Sequence, residues 1–97
     1  MDTKPIKRLT LLGSTGSIGR QSLEIADHLG YPVAALAAGS DVDTLEQQIR
    51  RYHPVAAALF DEKAAADLRV RVADTNTTVL SGMDGLCTLA AMELLPP

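Results

Sequence analysis

A glycine-rich stretch near the start of the chain has the residue types and spacing most able to do chemistry. Residues 9–20 read LTLLGSTGSIGR, so a short apolar run enters a turn whose glycines recur every third residue, and a helical pattern follows. The first turn of a helix leaves backbone N–H groups unpaired and carries the positive end of the helix dipole, so an anion can bind there. The stretch therefore predicts a turn that binds the pyrophosphate of a dinucleotide.

Each of the three glycines can be given a structural role in such a turn. Gly13 can supply the backbone conformation of the tight turn that leaves the strand, and Gly16 can let the main chain approach a pyrophosphate without an intervening Cβ. Gly19 can let the helix pack closely on the sheet. Hydroxyl groups beside the site come from Ser14, Thr15 and Ser17. The spacing is G-x-x-G-x-x-G rather than the standard G-x-G-x-x-G, so a glycine turn that binds no ligand stays as an alternative.

Composition limits the classes of protein to which the chain can belong. Its 97 residues suffice for one small domain, and 46% hydrophobic with 22% charged residues is ordinary for a globular protein. A net charge of −3 argues against a nucleic-acid surface, and no apolar stretch approaches the length of a membrane span. The single cysteine, Cys87, cannot form an internal disulfide, which fits a reducing compartment, and it is expected to be a small buried side chain on a helix. We therefore expect a cytoplasmic protein with no nucleic-acid partner and no membrane partner.

The elements around the turn alternate between strand and helix patterns. Apolar runs at residues 7–12, 32–38, 55–60 and 78–80 predict strands. Helices are predicted over residues 17–29, from a capping box at Asp43 and Glu46 to residue 53, from Asp61 through Val72, and over residues 85–95. Such a succession implies right-handed crossovers and a parallel sheet with helices on both faces. The predicted fold class is α/β: a Rossmann-like three-layer fold with a parallel sheet, here the N-terminal half of a doubly wound domain.

The same patterns predict which surfaces are buried and which edge is open. The helix over residues 17–29 has a candidate core face made of Ile18, Ser22, Ile25, Ala26 and Leu29. No linker or repeat interrupts the chain, so residues 1–97 are expected to form a single partial dinucleotide-binding domain. In the usual doubly wound order, a later strand lies against the other side of the first strand. We therefore expect the first strand to be an unpaired edge.

Three motifs of the chain resemble a known family. LGSTGSIG at residues 12–19, ALAAG at residues 35–39 and VLSG at residues 79–82 are similar to the N-terminal part of the 1-deoxy-D-xylulose 5-phosphate reductoisomerase family, and the likeness covers nearly the whole chain. The resemblance implies an NADPH-dependent oxidoreductase of isoprenoid precursor synthesis. Such an enzyme converts deoxyxylulose phosphate to 2-C-methyl-D-erythritol 4-phosphate by skeletal rearrangement and hydride transfer, assisted by a divalent metal, Mg or Mn.

The resemblance also implies which residues contact the cofactor. At the glycine turn these are Thr15, Gly16, Ser17 and Ile18, and after the second strand they are Gly39, Ser40 and Asp41. It implies no catalytic residue and no metal ligand within the chain, because the family's metal carboxylates and substrate-phosphate site lie in segments beyond Pro97. We therefore expect the chain by itself to be inactive, and a full-length member to be a homodimer.

The loop after the second strand departs from the family pattern. Reductoisomerases tend to carry a basic or amide side chain at one or both of the positions of Ser40 and Asp41, which suits the 2′-phosphate of NADPH. An aspartate there would repel that phosphate and could accept hydrogen bonds from the bare ribose of NADH. Alternatively, Asp41 points into solvent or starts the next helix. Separately, Arg50 or Arg51 on that helix either supplies the missing positive charge or belongs to a solvated face. NADPH stays the expected cofactor.

Two other functions stay open at this point. The chain could be the cofactor domain of another NAD(P)-dependent dehydrogenase or epimerase with the same opening, or a nucleotide-sensing module that catalyses nothing. The two histidines do not decide between them. His28 and His53 lie near predicted helix ends, where the dipole favours a histidine, and they have no metal-ligand spacing.

Overall fold

Four strands alternate with four helices in the computed structural model, which describes residues 9–92. The elements are β1 (Leu9–Leu12), α1 (Ser17–Leu29), β2 (Val33–Ala38), α2 (Val42–Tyr52), β3 (Ala56–Leu59), α3 (Glu62–Arg71), β4 (Thr78–Ser81) and α4 (Gly82–Met92). The predicted alternation is confirmed. Residues 7 and 8 of the predicted first strand and residues 93–95 of the predicted last helix lie outside the described residues.

The strands form one parallel sheet in the order β1-β2-β3-β4. Each crossover therefore adds the next strand on the same side of the sheet. Right-handed connections give this order when the connecting helices, α1, α2 and α3, all cover one face. Among the four described strands, β1 lies at the edge next to β2, which agrees with the predicted edge position of the first strand. The parallel direction brings the carboxyl ends of all four strands to one edge of the sheet.

Helices cover both faces of the sheet, which confirms the three-layer prediction. On one face, α1, α2 and α3 pack on the sheet through a core that includes Leu23, Leu36, Leu45, Ile49, Leu59 and Leu68. On the other face, α4 packs through Leu89 on four alanines of the central strands, Ala35, Ala37, Ala56 and Ala58. None of the helices in this part of the chain is both long and apolar enough to cross a lipid bilayer.

Two aspartates start the middle helices, and one of them is not the residue that the capping-box pattern indicates. Asp61 caps α3 as predicted, since its Oδ1 accepts hydrogen bonds from the Lys63 and Ala64 N–H groups at 2.9 and 3.2 Å. The predicted cap at Asp43 is wrong, because α2 begins at Val42 and its N-cap is Asp41. Asp43 lies in the first turn of α2, where its carboxylate pairs with Arg71 instead.

The rotation of α1 about its own axis also differs from the prediction. The helix buries Gly19, Leu23 and Ala26, whereas three members of the predicted core face are exposed: Ile18 (80%), Ile25 (60%) and Leu29 (56%). Gly19 lies so close to the preceding turn that it fixes which side of the helix faces the sheet. Apolar spacing alone could not reveal that contact.

Two further burial expectations are wrong. The third strand is two residues shorter than predicted, and its flanking residues Val55 and Phe60 are exposed, because only Ala56–Leu59 lies under both helix layers. Cys87 is exposed on α4, because the buried residue of that turn is Leu89.

Candidate functional site

The glycine turn connects β1 to α1 at the carboxyl edge of the sheet. Gly13 has a φ of 89°, a left-handed conformation that favours glycine, so its predicted role in the tight turn fits the geometry. The turn is fixed to the neighbouring strand, because the Gly13 and Ser14 N–H groups both donate to the Ala37 carbonyl, at 2.7 and 3.0 Å. Its position therefore depends on the end of β2.

Gly16 and Gly19 differ sharply in the space around them. A Cβ on Gly19 would lie 2.2 Å from the Gly13 carbonyl oxygen and under 3 Å from the backbone of Ser14, so α1 rests directly on the turn. A Cβ on Gly16 would meet only the Gly13 oxygen, at 3.8 Å, and Gly16 is exposed. Gly19 thus maintains the backbone packing, whereas Gly16 leaves open space in front of the helix terminus.

The N-terminus of α1 has the features that favour an anion. Gly16 is the N-cap and gives no side-chain cap, and the first turn of α1 holds no acidic residue. The starts of α2 and α3 are different, because each has an aspartate cap. The first-turn N–H groups of α1 have no intrahelical acceptors, and their position next to exposed Gly16 leaves them accessible to a ligand.

An apolar groove lies beside the turn at the ends of the first three strands. Its volume is about 220 Å³, and its lining consists of Leu12, Gly13, Ala37, Ala38, Gly39, Phe60 and Leu86. Such a wall suits the flat face of an aromatic ring. The groove thus connects the glycine turn to the start of the loop after β2, and Phe60, which sequence reasoning placed in a buried strand, is one of its exposed walls.

A buried polar contact supports the turn from α2. The Gln48 Nε2 donates to the Ser14 carbonyl oxygen at 2.8 Å, and both residues are buried. Ser14 was expected to place its hydroxyl beside the ligand, but it is 0% exposed. Among the described residues, its Oγ and the Gln48 Oε1 have no hydrogen-bond partner. Sequence reasoning missed Gln48, although its place next to Ile49 on the buried side of α2 was the available signal.

Asp41 acts as the start of α2. Its Oδ1 accepts a hydrogen bond from the Thr44 N–H at 3.1 Å. This bond lowers the pKa of the Asp41 carboxyl below its ordinary value, with further contributions from the Thr44 side chain and from the charge of Arg20. Of the two interpretations of Asp41, helix initiation is therefore what the structure shows. A contact with a ribose stays a prediction, as do the cofactor contacts of Ser40 and the other proposed residues.

Arg20 joins the glycine turn to the start of α2. Its Nε donates to the Thr15 carbonyl oxygen at 2.9 Å, and its Nη2 donates to the Thr44 Oγ1 at 3.4 Å. Sequence reasoning missed this residue, although it directly follows the last glycine of the motif.

The two arginines considered as sources of positive charge have other partners. Arg50 pairs with Asp74 and Glu46 at 3.0 and 3.2 Å, and Arg51 pairs with Asp27 at 3.1 Å. Both lie in the last turn of α2, away from its Asp41 end. The Arg50 and Arg51 alternative is therefore not supported, because those charges are engaged at the opposite end of the helix.

The two histidines lie at helix C-termini and not at the turn. His28 lies in the last turn of α1 and His53 ends α2 with a φ of 51°. In residues 9–92, no group of three or more His, Cys, Asp or Glu side chains could hold a metal ion.

Comparisons with known proteins identify the same family along most of the chain. The family model described as 1-deoxy-D-xylulose 5-phosphate reductoisomerase matches residues 9–95. The reductoisomerase of Desulfitobacterium hafniense is 51% identical over 91 residues, covering 92% of this chain and 24% of the relative. That of Lachnoclostridium phytofermentans is 45% identical over 89 residues, covering 91% of this chain and 23% of the relative.

Solved structures give the same result. The reductoisomerase from Zymomonas mobilis in complex with NADPH superposes with a TM-score of 0.85 at 30% identity, over 91% of this chain and 24% of that one. A reductoisomerase in complex with NADPH, fosmidomycin and magnesium gives a TM-score of 0.83 at 34% identity, over 92% of this chain and 22% of that one. The chain therefore spans about a quarter of the length of its relatives. It belongs to the 1-deoxy-D-xylulose 5-phosphate reductoisomerase family.

Proposed function

We propose that this chain is the front part of the NADPH-binding domain of a reductoisomerase that converts 1-deoxy-D-xylulose 5-phosphate to 2-C-methyl-D-erythritol 4-phosphate. The observation that carries the proposal is the uncapped N-terminus of α1 behind exposed Gly16, where a pyrophosphate can approach the backbone. The Zymomonas mobilis relative, whose structure contains NADPH, supports the choice of cofactor.

Two groups of residues in the site hold different parts of the dinucleotide. Thr15, Gly16, Ser17 and Ile18 hold the pyrophosphate, since they form the turn and the first residues of α1. Gly39, Ser40 and Asp41 lie on the adenosine side, where the apolar groove ends at Gly39. NADPH supplies the hydride of the reduction when it is bound. The role of this chain is thus to bind and orient the cofactor at the carboxyl edge of the sheet.

The remaining properties of the enzyme belong to the proposal as well. Residues 1–97 form one partial dinucleotide-binding domain, and the ligands of a magnesium or manganese ion and the substrate site lie elsewhere in the enzyme. The full-length protein works as a homodimer in the cytoplasm, without a nucleic-acid or membrane partner. This chain by itself has no reductoisomerase activity.

An amide-resolved titration tests the cofactor site. We expect NADPH, added to the ¹⁵N-labelled chain, to shift the backbone amide signals of residues 13–19 and 39–41 in a saturable manner. The dispersion of the signals reports folding, and the shifts of individual amides report binding even when the affinity is weak. Saturable shifts that centre elsewhere, or no shifts in a well-dispersed spectrum, would contradict the proposal.

Gly16→Val is the matched variant for this titration. Its Cβ meets only one atom of the protein, at 3.8 Å, and its backbone is extended with φ −78° and ψ 173°, so the fold accepts the side chain. The added methyl groups occupy the space in front of the helix terminus. We therefore expect the variant to keep the dispersed spectrum and to lose NADPH binding. Unchanged affinity would show that no pyrophosphate lies at Gly16.

A further inference from the structure

We infer that Arg20 is the residue that recognises the 2′-phosphate of NADPH and so sets the preference for NADPH over NADH. The inference rests on the proposed function, because it assigns a specificity role within that cofactor site. It follows from three observations: the charge of the loop after β2, the position of Arg20, and the partners of the other arginines.

The loop after β2 cannot supply the positive charge that a 2′-phosphate needs. NADPH differs from NADH by one phosphate group on the adenosine ribose, and a phosphate in a protein site is bound best by a cation. Ser40 is neutral, and Asp41 carries a carboxylate whose hydrogen bond with Thr44 keeps it ionised. This loop on its own would repel the phosphate, so the attraction must come from a neighbouring element.

The position of Arg20, between the glycine turn and the start of α2, allows it to supply this positive charge. Its hydrogen bonds to the Thr15 carbonyl and to the Thr44 hydroxyl hold the guanidinium between the glycine turn and the first turn of α2. Thr44 is also the residue whose N–H group Asp41 caps. The guanidinium is thus fixed next to both loops that hold the two halves of the dinucleotide. A guanidinium has five N–H donors in a planar fork, so these two bonds leave donors for an anion.

Among the described residues, Arg20 and Arg69 differ from the other arginines, because their hydrogen bonds go to uncharged acceptors. Arg69 donates to the Val79 carbonyl oxygen in β4, away from the turn. Arg50, Arg51 and Arg71 each form ion pairs with carboxylates at the surface of the helices. The bonds of Arg20 go to a carbonyl and a hydroxyl, which are uncharged acceptors. A 2′-phosphate would give this guanidinium an anionic partner, and a phosphate matches its forked geometry.

A purely structural role is the competing explanation, and it makes a different prediction. If Arg20 only joined the turn to α2, its loss would weaken NADPH and NADH to the same extent. If Arg20 contacts the phosphate, its loss weakens only ligands that carry a 2′-phosphate. Two pairs of probes separate these cases: NADPH against NADH, and adenosine 2′,5′-bisphosphate against adenosine 5′-diphosphate.

The experiment compares Arg20→Gln with the unaltered chain by amide-resolved titration of all four probes. We expect the Kd of NADPH and of adenosine 2′,5′-bisphosphate to rise about tenfold or more, as the loss of a charge-assisted bond to phosphate implies. The Kd of NADH and of adenosine 5′-diphosphate should stay within about twofold. Arg51→Gln is the control, because Arg51 lines the same groove between α1 and α2 but pairs with Asp27, and it should change none of the four.

The possible results of the titrations distinguish failure of the Arg20 inference from failure of the proposed cofactor site. Equal weakening of all four probes, or an unchanged preference in Arg20→Gln, would overturn the inference while leaving the cofactor site in place. If the unaltered chain bound none of the probes, the proposed function would fail first. Arg20→Lys covers the case in which Arg20→Gln fails to fold, because it keeps the charge and loses the fork. We expect Arg20→Lys to retain a reduced preference for the two 2′-phosphorylated probes. Equal weakening of the probes with and without a 2′-phosphate would again overturn the inference.

Discussion

The three glycines of the turn are the same residue type, but the fold places a different requirement on each position. Gly13 needs a left-handed backbone with φ 89°, and Gly19 needs the absence of a Cβ within 2.2 Å of a carbonyl oxygen. Gly16 needs neither for folding, because its surroundings accept a side chain. The fold thus requires glycine at positions 13 and 19 and not at position 16, so the predicted binding role of Gly16 can be tested without disturbing the fold.

Gly19→Ala is expected to destabilise the fold, whereas Gly16→Ala is not. The alanine Cβ at position 19 would overlap the Gly13 oxygen and the Ser14 backbone, so α1 must move away from the turn. Overpacking of this kind costs about 1–3 kcal/mol in the free energy of unfolding. Urea denaturation of the two variants measures the difference. Equal stability of both would show that α1 does not rest on the turn as described.

Asp41→Asn is expected to flatten the dependence of stability on pH. The pKa of Asp41 is lowered in the folded state, chiefly by the backbone hydrogen bond from Thr44. Its contribution is therefore fully present above the ordinary carboxyl pKa and is lost as the pH falls through the lowered value. Asparagine caps a helix about as well but does not titrate. Urea midpoints between pH 7 and pH 2 should fall less in the variant than in the unaltered chain.

A second carboxyl provides the control for that experiment. A hydrogen bond from Arg50 lowers the pKa of Asp74, so Asp74 contributes to stability with the same sign and over the same acidic range. Asp74→Asn should also flatten the profile, and the double variant should be flattest. An Asp41→Asn profile parallel to that of the unaltered chain would contradict the capping role.

The Asp41→Asn variant also removes a negative charge near Arg20, so its affinity for NADPH relative to NADH should rise.

At the scale of single elements, local patterns predicted more than tertiary orientation did. The bounds of α1 are those expected from its sequence, since Gly30 ends it with φ 76° and the periodic pattern fills it. Its buried side was not predictable, because the contact between Gly19 and Gly13 turns the helix away from the Ile18 stripe. The start of α2 was left undecided between Asp41 and the capping box at Asp43 for a similar reason. Two aspartates lie two residues apart, and only the chain path from β2 decides that Asp41 is the cap.

Cys87 gives a direct test of how α4 lies on the sheet. The structure exposes this side chain while Leu89 of the same helix is buried. We expect a maleimide reagent to label Cys87 in the folded chain about as fast as in urea. Protection that disappears only on unfolding would mean that α4 is rotated and that the sequence-based expectation of a buried cysteine was right.

At the scale of the molecule, the sheet topology was predictable, and the site was predictable only in part. Alternating patterns imply a parallel sheet with right-handed crossovers, and the usual doubly wound order implies that β1 lies at its edge. The glycine turn and the end of β2 meet for the same reason. Arg20 and Gln48 could not be placed, because both act across the gap between α1 and α2. That gap is a product of helix packing and has no signature in the spacing of residues.

The open edge of β1 is expected to make the isolated chain associate. β1 is the edge strand among the described strands, and the apolar residue at its end, Leu12, is 57% exposed. The average mass in sedimentation equilibrium should rise with protein concentration. Leu12→Lys should reduce the association, because a lysine on an edge strand opposes pairing with another chain. A monomer at all concentrations up to the millimolar range would show that β1 does not mediate contacts between copies.

The bonds that Gln48 and Arg20 make with the glycine turn have a consequence for the thermodynamics of binding. Gln48 holds the Ser14 carbonyl and Arg20 holds the Thr15 carbonyl, and both side chains also belong to the junction of the turn with α2. Two consecutive peptide groups are thereby ordered when the chain folds. A loop that is already ordered loses little conformational entropy when a ligand arrives. The turn is in this sense preorganised, so the affinity of a ligand that bound there would depend on its contacts more than on a change in the shape of the turn.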